Sequence, residues 1–189
     1  GITITDARLW VLTDQYKSSD RTMNVAAYGL KRAWVEAEVT WQKASLFEKW
    51  KVGGADDPVY DRDAEPVDTR PVNAVGTWYE FNLTPLVQSW VDGTRPNDGV
   101  LLVASGDTLE MHFWTSEYKL VNWRPRLEVR YLLGQPPAPD TPTPTPTPAS
   151  TESPTPTPTE TVTPTGTVAV SEGEVVLQQG LEGYVGVAD

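Results

Sequence analysis

The stretch "GGADDPVYDRDAEPVD" gathers Asp56, Asp57, Asp61, Asp63 and Asp68, carboxylates that could present hard oxygens to a calcium ion. It lacks the D-x-D-x-D-G spacing of an EF-hand loop, and Arg62 stands between two of the acids. A solvated loop containing salt bridges is therefore the reading to prefer, with Asp56, Asp57, Asp61 and Asp63 as the metal candidates within it. Paired acids such as Glu36 with Glu38, or Glu110 with Glu117, are what glycoside hydrolysis needs. On a strand-built surface they are usually outward, solvated positions. His112 is the one histidine, and alternation along "LEMHFWT" sets it opposite Met111 and Phe113, at a surface or rim. A lone histidine there supports no Ser–His–Asp arrangement. The chain has no cysteine, which excludes a disulfide framework, thiolate metal sites and cysteine nucleophiles. These residues point to a non-enzymatic protein without a cofactor.

Eight tryptophans carry the other chemical signal. Exposed aromatic rings stack on sugars, but aromatics also fill cores. Trp90, Trp10 and Trp78 fall within an apolar helix stripe or strands and read as structural. Trp34, Trp41, Trp50 and Trp123 lie in or beside connections, and are the candidates for carbohydrate binding.

The elements that would position these residues are mostly short strands with period-two alternation. In "ITITDARLWVLT" one face carries Ile2 and Ile4, then Ala7, Leu9 and Val11, so the parity changes between Ile4 and Ala7. A bulge near Thr5 and Asp6 would restore one continuous buried face. "TMNVAAYGL", "TWYEFNLT", "GVLLVA", "LEMHFWT" and "RPRLEVRYL" supply further strands. In "NLTPLVQSWVDG", Leu86, Val87, Trp90 and Val91 recur at helical spacing. Thr84 is placed to cap, Pro85 stands at the first helical position and Gly93 just past the end. The fold class expected is an all-β, antiparallel, jelly-roll-like β-sandwich with one short helix.

Composition changes after Gly134. Residues 1–134 hold 15 basic and 19 acidic side chains, net −4, and residues 135–189 hold 0 and 7, net −7, together the −11 of the chain. With no basic stripe, nucleic acid is excluded as a partner. No run is long and apolar enough to span a membrane, and the first residues lack a signal-peptide pattern. Most of the 17 prolines alternate with threonine over residues 135–166, a stiff extended spacer. Fully extended at ~3.1 Å per residue it would reach about 100 Å. Thr/Pro composition of this kind is typical of O-glycosylated extracellular stalks, which makes Thr141, Thr143, Thr145, Thr147, Thr155, Thr157 and Thr159 candidate acceptors. The Asn82-Leu83-Thr84 triplet is discounted for N-glycosylation because it lies in a strand entering the helix. Beyond the spacer, "TVAV" and "EVVLQQ" are two brief β-prone runs separated by "SEGE", too short to fold alone.

Five stretches follow one another in a familiar order: "ITDARLWVLT", "WVEAEVTW", "DRDAEPVD", "GTWYEFNLTPLVQSWVDGTRPNDGVLLV" and "FWTSEYKLVNWRPRLEVRYL". Over about residues 2–132 they resemble the later strands of the DNRLRE domain, an extracellular β-sandwich similar to carbohydrate-binding module family 96. The resemblance implies polysaccharide binding for some members. It also implies further strands upstream of Ile2, and an opening segment that here stands at the C-terminus as Leu177, Gln178, Gly180, Tyr184, Gly186 and Asp189. The expected organisation is therefore residues 1–134 as a sandwich lacking its first strands, 135–166 as linker, and 167–189 as the start of a next repeat. A sandwich with uncovered edges could accept 167–189, through Val175, Val176, Leu177 and Tyr184, as a donor strand from its own chain or a neighbour. Head-to-tail donation would build a filament. Self and polysaccharide are thus the expected partners, and the cell surface or exterior the expected location.

Overall fold

The computed structural model describes residues 1–18, 21–105, 110–134 and 171–177, the last as backbone. Its spine is β1 (Ile2–Lys17), long enough to take three partners along its length. The rest run in the order β2 (Met23–Gly29), β3 (Asp68–Val72), β4 (Trp78–Asn82), α1 (Thr84–Val91), β5 (Val100–Ser105), β6 (Met111–Phe113), β7 (Arg126–Leu133) and β8 (Ser171–Leu177). The larger sheet is ordered β4-β1-β7-β8, with β6 on the far end of β1; the smaller is β3-β2-β5. Every ladder is antiparallel. The fold is all-β with one short helix, as the alternation predicts.

The change of parity in β1 has the expected cause. Ile4 pairs with Tyr131 and Asp6 with Arg130, so β1 advances two residues while β7 advances one, and Thr5 is the extra residue of a bulge. Ile4, Ala7, Leu9 and Val11 are consequently all buried. Ile2, expected on the same face, is exposed.

One hydrophobic cluster draws on both sheets: Leu9, Phe81 and Val129 from the larger, Val25, Val72 and Ala104 from the smaller. Helix α1 adds Val87. Its Thr84 is not the cap predicted. Leu83 takes the N-cap position, without a side-chain cap bond. The Thr84 hydroxyl oxygen instead accepts the N–H of Ala7 at 2.9 Å, and its hydroxyl donates to Asn82 Oδ1 at 2.7 Å. One turn on, Gln88 accepts the N–H of Ile4 at 2.6 Å and donates to the carbonyl of Ile2 at 3.2 Å. Two side chains spaced i, i+4 thus satisfy the edge of β1 where β4 has ended. The C-terminal end follows expectation, with Gly93 at φ +67° just past Asp92.

Two elements depart from the sequence reading. β3 is a strand despite Pro71, because it lies on an edge with β2 on one side only, where the missing N–H is tolerated. β8 runs unbroken through "SEGE", expected to separate two runs; β7 supplies the ladder that a polar, glycine-containing segment could not sustain alone.

Residues 31–66, between β2 and β3, form no long strand. They close over a second cluster of Leu30, Ala44, Trp50 and Ala55. The spacer, its threonines Thr141, Thr143, Thr145, Thr147, Thr155, Thr157 and Thr159, "TVAV" and Tyr184 lie outside the described residues.

Candidate functional site

The connection from β6 to β7 turns tightly and brings three aromatic rings together. The N–H of Trp114 bonds the carbonyl of Leu12 at 2.9 Å, Tyr118 N–H that of Thr115 at 3.2 Å, and a 3₁₀ turn spans Val121–Trp123. Arg124 Nε clamps the Tyr118 carbonyl at 2.7 Å. Within this frame Trp114 stacks on Tyr118 with ring centroids 3.9 Å apart. Trp123 lies 5.7 Å from Tyr118 at an interplanar angle of 27°. Trp123 is 37% exposed, and Leu120 and Val121 beside it are also open to solvent. The group is an aromatic corner with one accessible indole, able to stack on a planar or ring-shaped ligand. Trp123 was legible as a candidate. Trp114 and Tyr118 were missed, although all three fall in one short connection.

Of the other candidate tryptophans, Trp34 and Trp50 are held by the second cluster, and Trp41 is open to solvent. Trp50 is only 8% exposed and its indole N–H donates to the Thr40 carbonyl at 3.0 Å. With its ring covered, it has no face to give a sugar. Trp34 is half-buried against the same cluster and donates to the Asp98 carbonyl at 2.9 Å. Trp41 is 38% exposed, as open as Trp123, with its ring against Gly53 and Gly54. At Gly54, with φ +78°, a Cβ would stand 2.5 Å from the Trp41 ring. Only a glycine fits there. Trp10 and Trp78 flank the Arg126 guanidinium, at 5.4 and 4.4 Å.

The acidic stretch is not assembled as a metal cage; each carboxylate has its own task. Asp61 is fully buried, accepting the N–H groups of Lys51 and Val52, each at 3.1 Å, with Arg32 at 3.5 Å. It is a structural brace, not a solvated loop residue. Asp56 pairs with Arg62 at 2.6 Å, and Asp63 with Arg95 at 2.8 Å. Asp57 accepts from Val59 and Tyr60 N–H, closing its own turn. Asp68 accepts the N–H of Asn82 at 2.8 Å and pairs with Arg70. Among the described residues no group of three or more acids or histidines is arranged to hold a metal ion.

His112 is exposed on β6, its Nε2 2.8 Å from Glu110 and its Nδ1 3.5 Å from Asp14. Its pKa is raised, first by the hydrogen bond to Glu110, opposed by partial burial and reinforced by the charge of Asp14. These partners favour imidazolium and provide no nucleophile. No helix among the described residues is long and apolar enough to cross a membrane.

β7 pairs with β1 on one side and carries β8 on the other. Leu127 pairs with Leu177, Val129 with Val175 and Leu133 with Ser171, so the post-spacer strand covers the edge of the final strand before the spacer. Val176 stands opposite Glu128. No protein-family model, curated protein or solved structure matches this chain.

Proposed function

We propose that this chain is a non-enzymatic extracellular structural module, a repeat or subunit of a surface protein or filament, in which residues 167–189 act as a strand that completes a sandwich edge. The observation that carries this reading is the ladder of β8 on β7, seven paired residues formed across a long Thr/Pro segment. A spacer able to reach about 100 Å lets the same strand serve its own β7 or that of a neighbour. Exchange of an identical strand between copies needs no new interface chemistry. The DNRLRE resemblance supports the same arrangement, since the residues that resemble the opening of that domain begin at Leu177, the last residue paired with β7. In this reading the spacer threonines carry O-linked sugar and hold the folded units apart.

Deleting residues 167–189 tests it. Electron microscopy and size-exclusion chromatography should show ordered polymers of the intact chain and monomers of the truncated one; monomers from both would sink the filament reading.

The aromatic corner favours a second reading, a carbohydrate-binding module. A pull-down on a panel of insoluble glycans should then retain the chain, and Trp123→Ala should weaken retention. Equal retention of both chains, or none of either, removes the corner as a sugar site.

A further inference from the structure

The exposed apolar surface of residues 31–66 culminates in a tight turn at 45–48. Ser45 and Glu48 exchange backbone hydrogen bonds at 3.2 and 3.3 Å, Ala44 N–H bonds the Glu48 carbonyl at 2.9 Å, and Lys43 and Lys49 form the bridge at its base. At its tip Phe47 is 91% exposed and Leu46 55%. The backbone of Leu46 is nonetheless satisfied from within: its N–H donates to Glu38 Oε2 at 2.7 Å, and its carbonyl accepts from Lys43 Nζ at 3.4 Å. The peptide groups of Ser45, Leu46 and Glu48, already bonded, can leave water without being stranded.

The charge around the tip is opposite in sign to that of the chain. Residues 31–51 carry Lys31, Arg32, Lys43, Lys49 and Lys51 against Glu36, Glu38 and Glu48, five basic less three acidic or net +2, within a chain of −11. Arg32 is taken up by Glu48 and the buried Asp61, which leaves Lys31, Lys43, Lys49 and Lys51 against Glu36 and Glu38, four basic less two acidic. Acidic side chains farther off than a Debye length of about 8 Å act weakly at the tip in physiological salt.

We propose that the 45–48 turn is a membrane-contact tip, seating Leu46 and Phe47 in the interfacial layer of an anionic bilayer with Lys43 and Lys49 at the headgroups. A bilayer suits this shape better than a protein pocket. The side chain that protrudes touches almost nothing, and a fluid interface receives a convex apolar tip without a matching cavity. Lysines beside it can keep their charge at headgroup level. The contact is peripheral, and is independent of strand exchange.

The full chain should float with vesicles of phosphatidylglycerol and phosphatidylcholine in a density gradient, and much less with phosphatidylcholine alone. Phe47→Ser, at an exposed position that should not disturb folding, should lower capture about tenfold, because one aromatic side chain no longer leaves water. Lys49→Glu should weaken capture only on the anionic vesicles. The proposal is overturned if the intact chain is not captured, or if Phe47→Ser is captured as well as the parent. Self-association that Phe47→Ser abolishes, without vesicle capture, would overturn it in favour of a second copy as the occupant.

Discussion

Asp61 shows how far residue type alone can mislead. Five aspartates in one acidic stretch suggest oxygens for a cation, yet the most buried of them spends both oxygens on backbone N–H groups of Lys51 and Val52. Nothing in the local spacing distinguishes it from Asp56 or Asp57, because its donors come from ten residues away and depend on how 31–66 folds. Asp61→Asn should therefore be costly despite its near-identical shape. One oxygen becomes an NH₂ facing an N–H, and Arg32 loses a counter-charge. An unpaired buried donor costs about 1–3 kcal/mol. Thermal unfolding should shift down accordingly, and amide exchange of Lys51 and Val52 should accelerate more than that of the β1 core. Unchanged exchange at those two amides would show that Asp61 is not the brace. Trp50 teaches the same lesson in apolar form: a tryptophan in a connection reads as accessible until the connection is found to have a core of its own.

At the scale of elements, period-two alternation carried most of the information. It located β1, β2, β4, β5, β6 and β7, and the parity break at Thr5 revealed the bulge before any pairing was known. Three features were hidden because they are set by partners rather than by local pattern. β3 contains Pro71 and qualifies only as an edge; β8 contains "SEGE" and qualifies only beside β7; Thr84 looks like a cap and is instead a bracket for β1. The bracket gives an element-level prediction. Where β4 ends, the N–H of Ile4 and the carbonyl of Ile2 are held by Gln88. Gln88→Ala should free both groups, lowering stability by about 1 kcal/mol per lost bond at this partly exposed site. It should also loosen the first residues of β1 selectively, read as faster amide exchange at Ile4 with Phe81 and Val129 unaffected. A uniform loss of protection would instead mean that α1 supports the whole sheet. The edge matters beyond stability. With this flank of β1 covered by a helix and the opposite one by β7, the first residues of β1 offer no edge to a further strand, and the edges of the larger sheet are those of β4 and of β8 beyond β7.

For the whole molecule, the two proposed contacts respond to salt in opposite directions. Each copy carries −11, and residues 135–189 contribute −7 of it with no basic residue. Copies that exchange 167–189 must bring like charges together, and backbone ladders with apolar burial have to overcome that repulsion. Added salt screens it, so assembly through strand donation should strengthen as ionic strength rises from a Debye length of about 30 Å at 0.01 M to about 8 Å at 0.15 M. The lysine-flanked tip depends on attraction, so capture on anionic vesicles should weaken over the same range. Measuring polymer mass by light scattering and vesicle capture by flotation on one salt series separates the two. Rising polymer mass with falling capture supports both contacts, each through its own charges. Parallel loss of both would place the attraction between copies at the basic segment 31–51, and would then favour that segment, not β7, as the surface on which neighbouring chains meet.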